Sequence, residues 1–372
     1  MLFLWFKVVW SGLTTSHRFI GVLSWVSEQS NIPISMSEDK SVHGLDHRAN
    51  ASQGTASSAL KHIAVVGAGA VGSFYGAMLA RTGHKVTLIG RPAHVQATKR
   101  DGLKLDLASA SATEIVHIDA SSELSSLQSA DLVLFCVKST DSASVARQMA
   151  RHLAPQALIM SLQNGVENSA LIAQEVPHAV IPCVVYVATE MPAPGCVKHH
   201  GRGDLVIGSM QTSRLQDPQK TLQEIVDLFA SAQVPVQISQ NVMAELWSKL
   251  LINCAFNAIS GLAQIQYEKL AALEAVRSTQ TAVVKEVIAV ALADGIHLSE
   301  SVALEAVAKI AVTMGSQKSS TAQDMARSKP SEIDHLNGFI VRRGQALGIA
   351  TPVNQALFSL VKLVESTYPH HG

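Results

Sequence analysis

Lys249, Asn253 and Asn257 stand four residues apart inside Ala244-Glu-Leu-Trp-Ser-Lys-Leu-Leu-Ile-Asn-Cys-Ala-Phe-Asn257, a run otherwise almost wholly apolar. On an α-helix, positions i, i+4 and i+8 lie nearly above one another, so the three polar groups form one stripe. Leu250, Leu251, Ile252, Cys254, Phe256 and Ile259 cover the other directions and mark a helix buried on most sides. A buried polar group without a partner costs roughly 1–3 kcal/mol, and an unpaired ammonium costs more. Either neighbouring helices satisfy the stripe, or it faces a cleft where a polar ligand completes it. A lysine so placed is a candidate proton donor, because burial readily shifts the ammonium pKa.

A second group of residues could hold a cofactor. His62-Ile-Ala-Val-Val-Gly-Ala-Gly-Ala-Val-Gly72 is a β-branched strand running into G-x-G-x-x-G, with Gly67, Gly69 and Gly72 in the motif places and Ala68, Ala70 and Val71 between them. Ser73 to Arg81 then has a helical pattern, and Lys85-Val-Thr-Leu-Ile89 is the next strand. The glycines permit a tight turn, close backbone approach to a pyrophosphate and close helix–strand packing. The helix N-terminus offers unpaired N–H groups and a positive dipole end to the phosphates. A dinucleotide enzyme that selects NAD usually carries Asp or Glu at the end of the second strand. Here Gly90-Arg91 stands in that place. A guanidinium suits a 2′-phosphate, so the expected cofactor is NADP(H), the alternative for Arg91 being a solvated surface residue.

The elements that must position these groups are α/β first and all-α afterwards. Ala130-Asp-Leu-Val-Leu-Phe-Cys-Val-Lys138 and Ala157-Leu-Ile-Met-Ser-Leu162 are buried strands, the second followed by the turn Gln163-Asn-Gly165. Ligands of open α/β sheets bind beyond the strand carboxyl ends, which puts Lys138 and Asn164 on the cofactor side. Segments 180–188 and 198–208 are strands separated by a Pro/Gly loop at 192–195. Helical patterns then cover 240–263, about 268–294, 299–315, 332–347 and 353–366. Ser331 and Asp334 have the spacing of a capping box for the helix at 332–347, with Glu332 in its first turn. The expected fold is therefore an N-terminal Rossmann-type dinucleotide-binding domain (61–238) followed by an all-α helical-bundle domain (239–372), with the active site in the interdomain cleft.

Composition narrows the partners. The 372 residues are 47% hydrophobic with a formal net charge of zero, and no Lys/Arg cluster suggests nucleic acid. Four scattered cysteines, Cys136, Cys183, Cys196 and Cys254, make no C-x-x-C pair, which fits thiols in a reducing, cytoplasmic compartment. None of the histidines has metal-ligand spacing, so no metal is expected. The apolar patches at 1–10 and 19–26 are shorter than the roughly 18–20 residues that span a bilayer, and no membrane association is expected. Residues 36–60 are rich in Ser, Ala, His and Asp; segment 1–60 is expected to be a disordered or over-called extension, with Met36 an alternative start.

From Lys61 to the C-terminus the chain resembles the ketopantoate reductase (2-dehydropantoate 2-reductase) family. The resemblance is carried by Gly67-Ala-Gly-Ala-Val-Gly72, Cys136-Val-Lys138, Gln163-Asn-Gly165, Glu245-Leu-Trp-Ser-Lys-Leu-Leu-Ile-Asn253, Ser319-Ser-Thr-Ala-Gln-Asp324 and Ser331-Glu-Ile-Asp-His-Leu-Asn-Gly338, in the family's order. It implies an NADPH-dependent reduction in pantothenate and coenzyme A biosynthesis, with Lys249 as general acid and Glu332 beside it. It also implies that Asn253, Asn257 and Ser320 hold the substrate, that Arg91, Lys138, Glu332 and the 67–72 loop meet the cofactor, and that Asn164 lies near both ligands. The partner is then a small 2-keto acid, and the protein a monomer or homodimer. Reduction of another 2-keto acid, or a non-catalytic NADPH sensor, are the alternatives; a sensor has no need of the Lys/Asn/Asn stripe together with Glu332.

Overall fold

Short β-branched runs alternating with helical patterns dictate a β-α-β succession from residue 62 onward. A computed structural model of the chain describes residues 60–210 and 214–369. Apart from Leu60, the expected N-terminal extension, with Met36 in it, lies outside the described residues. The strands and helices follow as β1 (His62–Val66), α1 (Ala70–Ala80), β2 (Lys85–Ile89), α2 (Pro92–Asp101), β3 (Leu103–Asp106), β4 (Glu114–Val116), β5 (Asp119–Ser121), β6 (Leu132–Phe135), α3 (Ser142–Met149), β7 (Leu158–Ser161), α4 (Asn168–Glu175), β8 (Val180–Ala193), β9 (Cys196–Ile207), α5 (Pro218–Ser231) and β10 (Val236–Ile238). After Ile238 the described chain is helical, with α6 (Val242–Ala263), α7 (Tyr267–Ala271), α8 (Glu274–Ala293), α9 (Glu300–Thr313), α10 (Ser320–Ala326), α11 (Asn337–Leu347) and α12 (Pro352–Glu365).

β5, β2, β1, β6, β7 and β8 pair in parallel in that spatial order, the doubly wound arrangement of a dinucleotide-binding fold. The order reverses between β1 and β6, so the ligand crevice belongs at their carboxyl ends. β8 continues past β7 and turns antiparallel onto β9, which takes β3 and β10 as further parallel neighbours, and β4 closes antiparallel on β3. The sheet thus wraps α1, which contacts β1, β2, β3, β8 and β9. That enclosure accounts for a helix whose residues 72–79 are all buried and which lacks a polar face.

α6 has the same character for a different reason. It packs against α7, α8, α9, α10 and α12 on one side and against β8 and β9 on the other. Leu250, Leu251, Cys254 and Phe256 are buried in a core that also takes Val184 from the sheet and Val283, Val284 and Val287 from α8. α6 is therefore the element shared by both halves, and its polar stripe falls where they meet. Among the described residues no helix is long and apolar enough to cross a membrane.

Three local expectations are corrected. The helix at about 268–294 is two helices, α7 and α8, and the Arg277 guanidinium donates to the carbonyls of Ala271 (2.7 Å) and Ala272 (3.0 Å) at the break. The 180–188 and 198–208 strands extend to Ala193 and back to Cys196, so Pro192 lies within β8 and the turn is tight. The capping box does not form. Ser331 Oγ accepts from Ile333 N (3.3 Å) and donates to Glu365 (2.6 Å), Asp334 accepts from Lys362 (2.9 Å), and residues 333–335 make a 3₁₀ turn ahead of α11. The Glu365 carboxylate, reaching from the end of α12, accepts from Ser331 N (2.8 Å), the amide that Asp334 would have taken in the box.

Gly67 illustrates how little latitude the first turn has. Its φ is +95°, and a Cβ there would sit 2.6 Å from Val137 N and 2.7 Å from the Cys136 carbonyl carbon. Gly67→Ala is expected to lose at least about 2 kcal/mol of unfolding free energy, since it adds left-handed strain to a clash with rigid backbone. A chemical-denaturation midpoint equal to that of the unsubstituted protein would contradict this account.

Candidate active site

The turn after β1 is built to approach a phosphate closely. Gly67 N and Ala68 N both donate to Ile89 O (3.0 Å each), fastening the loop to the end of β2. A Cβ on Gly72 would come within 2.8 Å of Val65 Cγ1, so α1 packs tightly on β1. A Cβ on Gly69, in contrast, would meet no atom within 4 Å. The amides of Ala70, Val71 and Gly72 precede the first intrahelical bond, Ser73 N to Gly69 O (2.8 Å), and no acidic residue lies in that first turn. Tight glycines beneath and an open glycine above, at a helix N-terminus, fit a dinucleotide pyrophosphate. Arg91 follows at the end of β2, exposed, as the residue preceding α2. Among the described residues its guanidinium has no hydrogen-bond or ion-pair partner.

Across the crevice the Lys249 side chain reaches from α6 to the sheet. Its Nζ donates to Asn164 Oδ1 (2.9 Å) and to the carbonyl of Val185 in β8. Asn164 Nδ2 in turn donates to Glu332 Oε2 (3.3 Å), and Glu332 Oε1 accepts from Ser139 N (2.8 Å). Glu332 is thus not paired with the ammonium directly, as expected from the sequence, but through the Asn164 amide. Burial pushes the Lys249 ammonium down to about 8, while the charge of Glu332 acts in the opposite direction. An ammonium has three N–H donors, so two fixed contacts leave one for a reacting oxygen.

The Asn164 backbone is held by a polar cluster that no spacing in the chain announces. Ser139 Oγ (3.1 Å) and Asn168 Nδ2 (2.6 Å) donate to Asn164 O, and Asn168 Nδ2 also donates to Ser139 Oγ (3.1 Å). Ser142 Oγ donates to Asn168 Oδ1 (2.8 Å), and Gln163 Nε2 donates to Ser142 Oγ (2.7 Å) and Val137 O (2.9 Å). Ser139, Ser142, Gln163 and Asn168 are all buried, and fully satisfied networks of this kind fix side-chain geometry. Gly165, at φ +91°, brings the same turn against the 3₁₀ turn that follows Glu332, where a Cβ would stand 3.2 Å from His335 O. The only signal in the chain for this arrangement was the turn string Gln163-Asn-Gly165 itself.

The remaining expected site residues fall into two groups. Asn253 is half-buried and Asn257 buried on the Lys249 face of α6, and neither side-chain amide is hydrogen-bonded to another described residue. Ser320 opens α10 with its hydroxyl likewise unpaired, while its neighbour Ser319 is structural. The Ser319 hydroxyl accepts from Ala322 N (3.0 Å) and donates to Asn257 O (3.2 Å), docking the start of α10 on the stripe. Lys138, in contrast, is engaged by the helical half, its Nζ donating to Asp324 Oδ2 (3.1 Å) and Pro330 O (2.9 Å). Tyr186, unflagged by the sequence, faces the ammonium with its ring centroid 5.6 Å from Lys249 Nζ. No cluster of three or more potential metal ligands occurs among the described residues.

Comparison with known proteins agrees with this architecture. Residues 63–212 match the family model Ketopantoate reductase PanE/ApbA, and residues 241–365 match its C-terminal counterpart. The crystal structure of a PanE/ApbA family ketopantoate reductase from Ralstonia eutropha JMP134 superposes with a TM-score of 0.77 at 51% identity, covering 83% of this chain and 100% of that one. The 2-dehydropantoate 2-reductases of Halobacterium salinarum and Pyrococcus abyssi are 31% and 30% identical over 307 and 304 residues, 82% and 81% of this chain and 98% and 96% of theirs. A ternary structure of D-mandelate dehydrogenase shares the fold, with a TM-score of 0.76 at 23% identity. The likeness runs over nearly the whole length of these named relatives and takes in both halves of the fold, and the chain belongs to the ketopantoate reductase family of oxidoreductases.

Proposed function

We propose that the protein reduces 2-dehydropantoate (ketopantoate) to pantoate with NADPH, a step of pantothenate and coenzyme A biosynthesis. The observation that carries this reading is the chain Lys249–Asn164–Glu332 lying beside three side chains, Asn253, Asn257 and Ser320, whose hydrogen-bonding capacity their neighbours leave unused. A lone structural lysine would not need an amide relay to a carboxylate, and amides that no neighbour engages are free to bond the polar groups of a ligand.

The 67–72 loop and Arg91 would hold NADPH, which would supply the hydride that the carbonyl carbon takes up. The protein's part is charge control at the carbonyl oxygen. Lys249 donates its third N–H to that oxygen, stabilises the negative charge as it grows and delivers the proton. Val185 O and Asn164 hold the ammonium in place, so no reorganisation is needed as the charge develops. Asn253, Asn257 and Ser320 bond the substrate hydroxyl and carboxylate and fix the keto carbon in the crevice.

The direct test is loss of NADPH absorbance on addition of a panel of 2-keto acids. Ketopantoate is expected to give the highest kcat/KM; no turnover of any 2-keto acid would overturn the reading. The cofactor assignment has its own test. Arg91→Asp exchanges a phosphate partner for a repelling charge, so the NADPH/NADH ratio of kcat/KM should fall by about tenfold or more. A ratio unmoved by that substitution would refute the role of Arg91.

A further inference from the structure

Arg202 is a second cation at this site that the reaction as described does not use. Tyr186 carries both positive groups, with the Arg202 Cζ 4.3 Å from the ring centroid and Lys249 Nζ 5.6 Å from it. The charge of Arg202 also acts on Lys249, disfavouring its ammonium. Asn253, Asn257 and Ser320 are neutral, so none of them supplies a counter-charge to a carboxylate.

The backbone is distorted in order to aim this side chain. Arg202 has φ +57°, a left-handed conformation that a non-glycine residue adopts at a cost. The β8–β9 register slips there, Tyr186 pairing with Asp204 but Val187 with Arg202, so that Gly203 is the extra residue of a bulge. Tyr75 OH donates to Gly203 O (3.2 Å), and the His199 ring bonds Arg202 O, fixing the bulge from both sides. Strain that its surroundings hold in place, beside a reaction centre, points to function. A surface ion pair with Asp204 accounts for the charge but not for the bulge, the left-handed residue or the ring beneath it.

The guanidinium still has donors to offer. Nε donates to Asp204 Oδ1 (3.0 Å) and Nη2 to Oδ2, while Nη1 has no partner among the described residues. One edge of the fork is therefore held and oriented by Asp204, and the end formed by Nη1 and the second N–H of Nη2 can take a planar oxyanion in two parallel bonds. We infer that Arg202, stacked on Tyr186 and braced by Asp204, supplies the counter-charge to the carboxylate that the neutral groups bond, and so selects 2-keto acids over neutral ketones. This rests on the reading of the site as that of a 2-keto acid reductase.

The experiment compares the 2-keto acid that the full-length protein reduces best with the methyl ester of that acid, using Arg202→Met, which keeps an aliphatic stem over Tyr186 without the charge. The kcat/KM for the acid should drop roughly 10- to 100-fold, the scale of a charge-assisted hydrogen bond, mainly through KM. The value for the ester should change little, so the acid/ester ratio collapses. A structural role would lower both substrates together and leave the ratio unchanged, which would overturn the inference. If Arg202→Met does not fold, Arg202→Gln is read in the same way. Ketopantoate turnover with an unmoved ratio removes Arg202 alone, whereas failure to reduce any 2-keto acid removes this inference together with the proposed function.

Discussion

Lys249→Ala is expected to lower kcat by at least about two orders of magnitude, the usual scale for a positioned general acid, while leaving NADPH affinity nearly unchanged. The separation of the two effects follows from geometry. The Lys249 ammonium bonds Asn164 and Val185 O and no atom of the 67–72 turn, so its loss removes charge from the carbonyl oxygen and not from the phosphates. The same lysine sets a pH dependence. Reduction requires the protonated form, and burial lowers its pKa to about 8, so kcat/KM should be flat below that pH and fall about tenfold per unit above it. Glu332 raises the lysine pKa, hence Glu332→Gln should move the break to lower pH. Near-normal turnover of Lys249→Ala with collapsed cofactor binding would make Lys249 a cofactor residue and end the mechanism.

Ketopantoate should exceed 2-ketoisovalerate in kcat/KM by up to about 10⁴-fold, because a site built to hydrogen-bond a hydroxyl strongly rejects an analogue that lacks it. The two acids differ by a hydroxymethyl group, and the groups available to bind it are the amides of Asn253 and Asn257. Asn257 is 3% exposed and Asn253 half-buried, so a substrate that left them unpaired would strand polar groups away from water. Asn257→Ala is accordingly expected to reduce activity with ketopantoate far more than with 2-ketoisovalerate. Equal efficiency of the unsubstituted enzyme with both acids would refute pantoate as product and leave reduction of another 2-keto acid.

Several features of this site were legible because they depend on local periodicity. The spacing of Lys249, Asn253 and Asn257 specifies a stripe on any α-helix, and α6 is an unbroken helix from Val242 to Ala263. The glycine turn is likewise local, since its steric demands are made by β1, the loop and α1 themselves. The short strands β3, β4, β5 and β10 were not legible, being three or four residues long and dependent on partners distant in the chain. α10 was missed for a related reason. Seven residues make too weak a helix to declare itself, and its start is held by Ser319 against α6.

What the sequence determined alone was the succession of a dinucleotide-binding α/β half and a helical half, the glycine turn, Arg91 at the end of β2 and one face of α6. Those rest on interactions between residues a few positions apart, which periodicity and turn stereochemistry specify. The tertiary structure decided which of the marked residues meet. It inserted Asn164 between Lys249 and Glu332, tied Lys138 to Asp324, and gave Ser331 to Glu365 instead of to a helix cap. It also raised Tyr186 and Arg202 beside the lysine, through a bulge in a hairpin that no spacing announces. Each of these is a contact across tens or hundreds of residues, set by sheet order and helix docking, and a hydrogen-bonding side chain has no preference among such distant partners until packing brings one within reach.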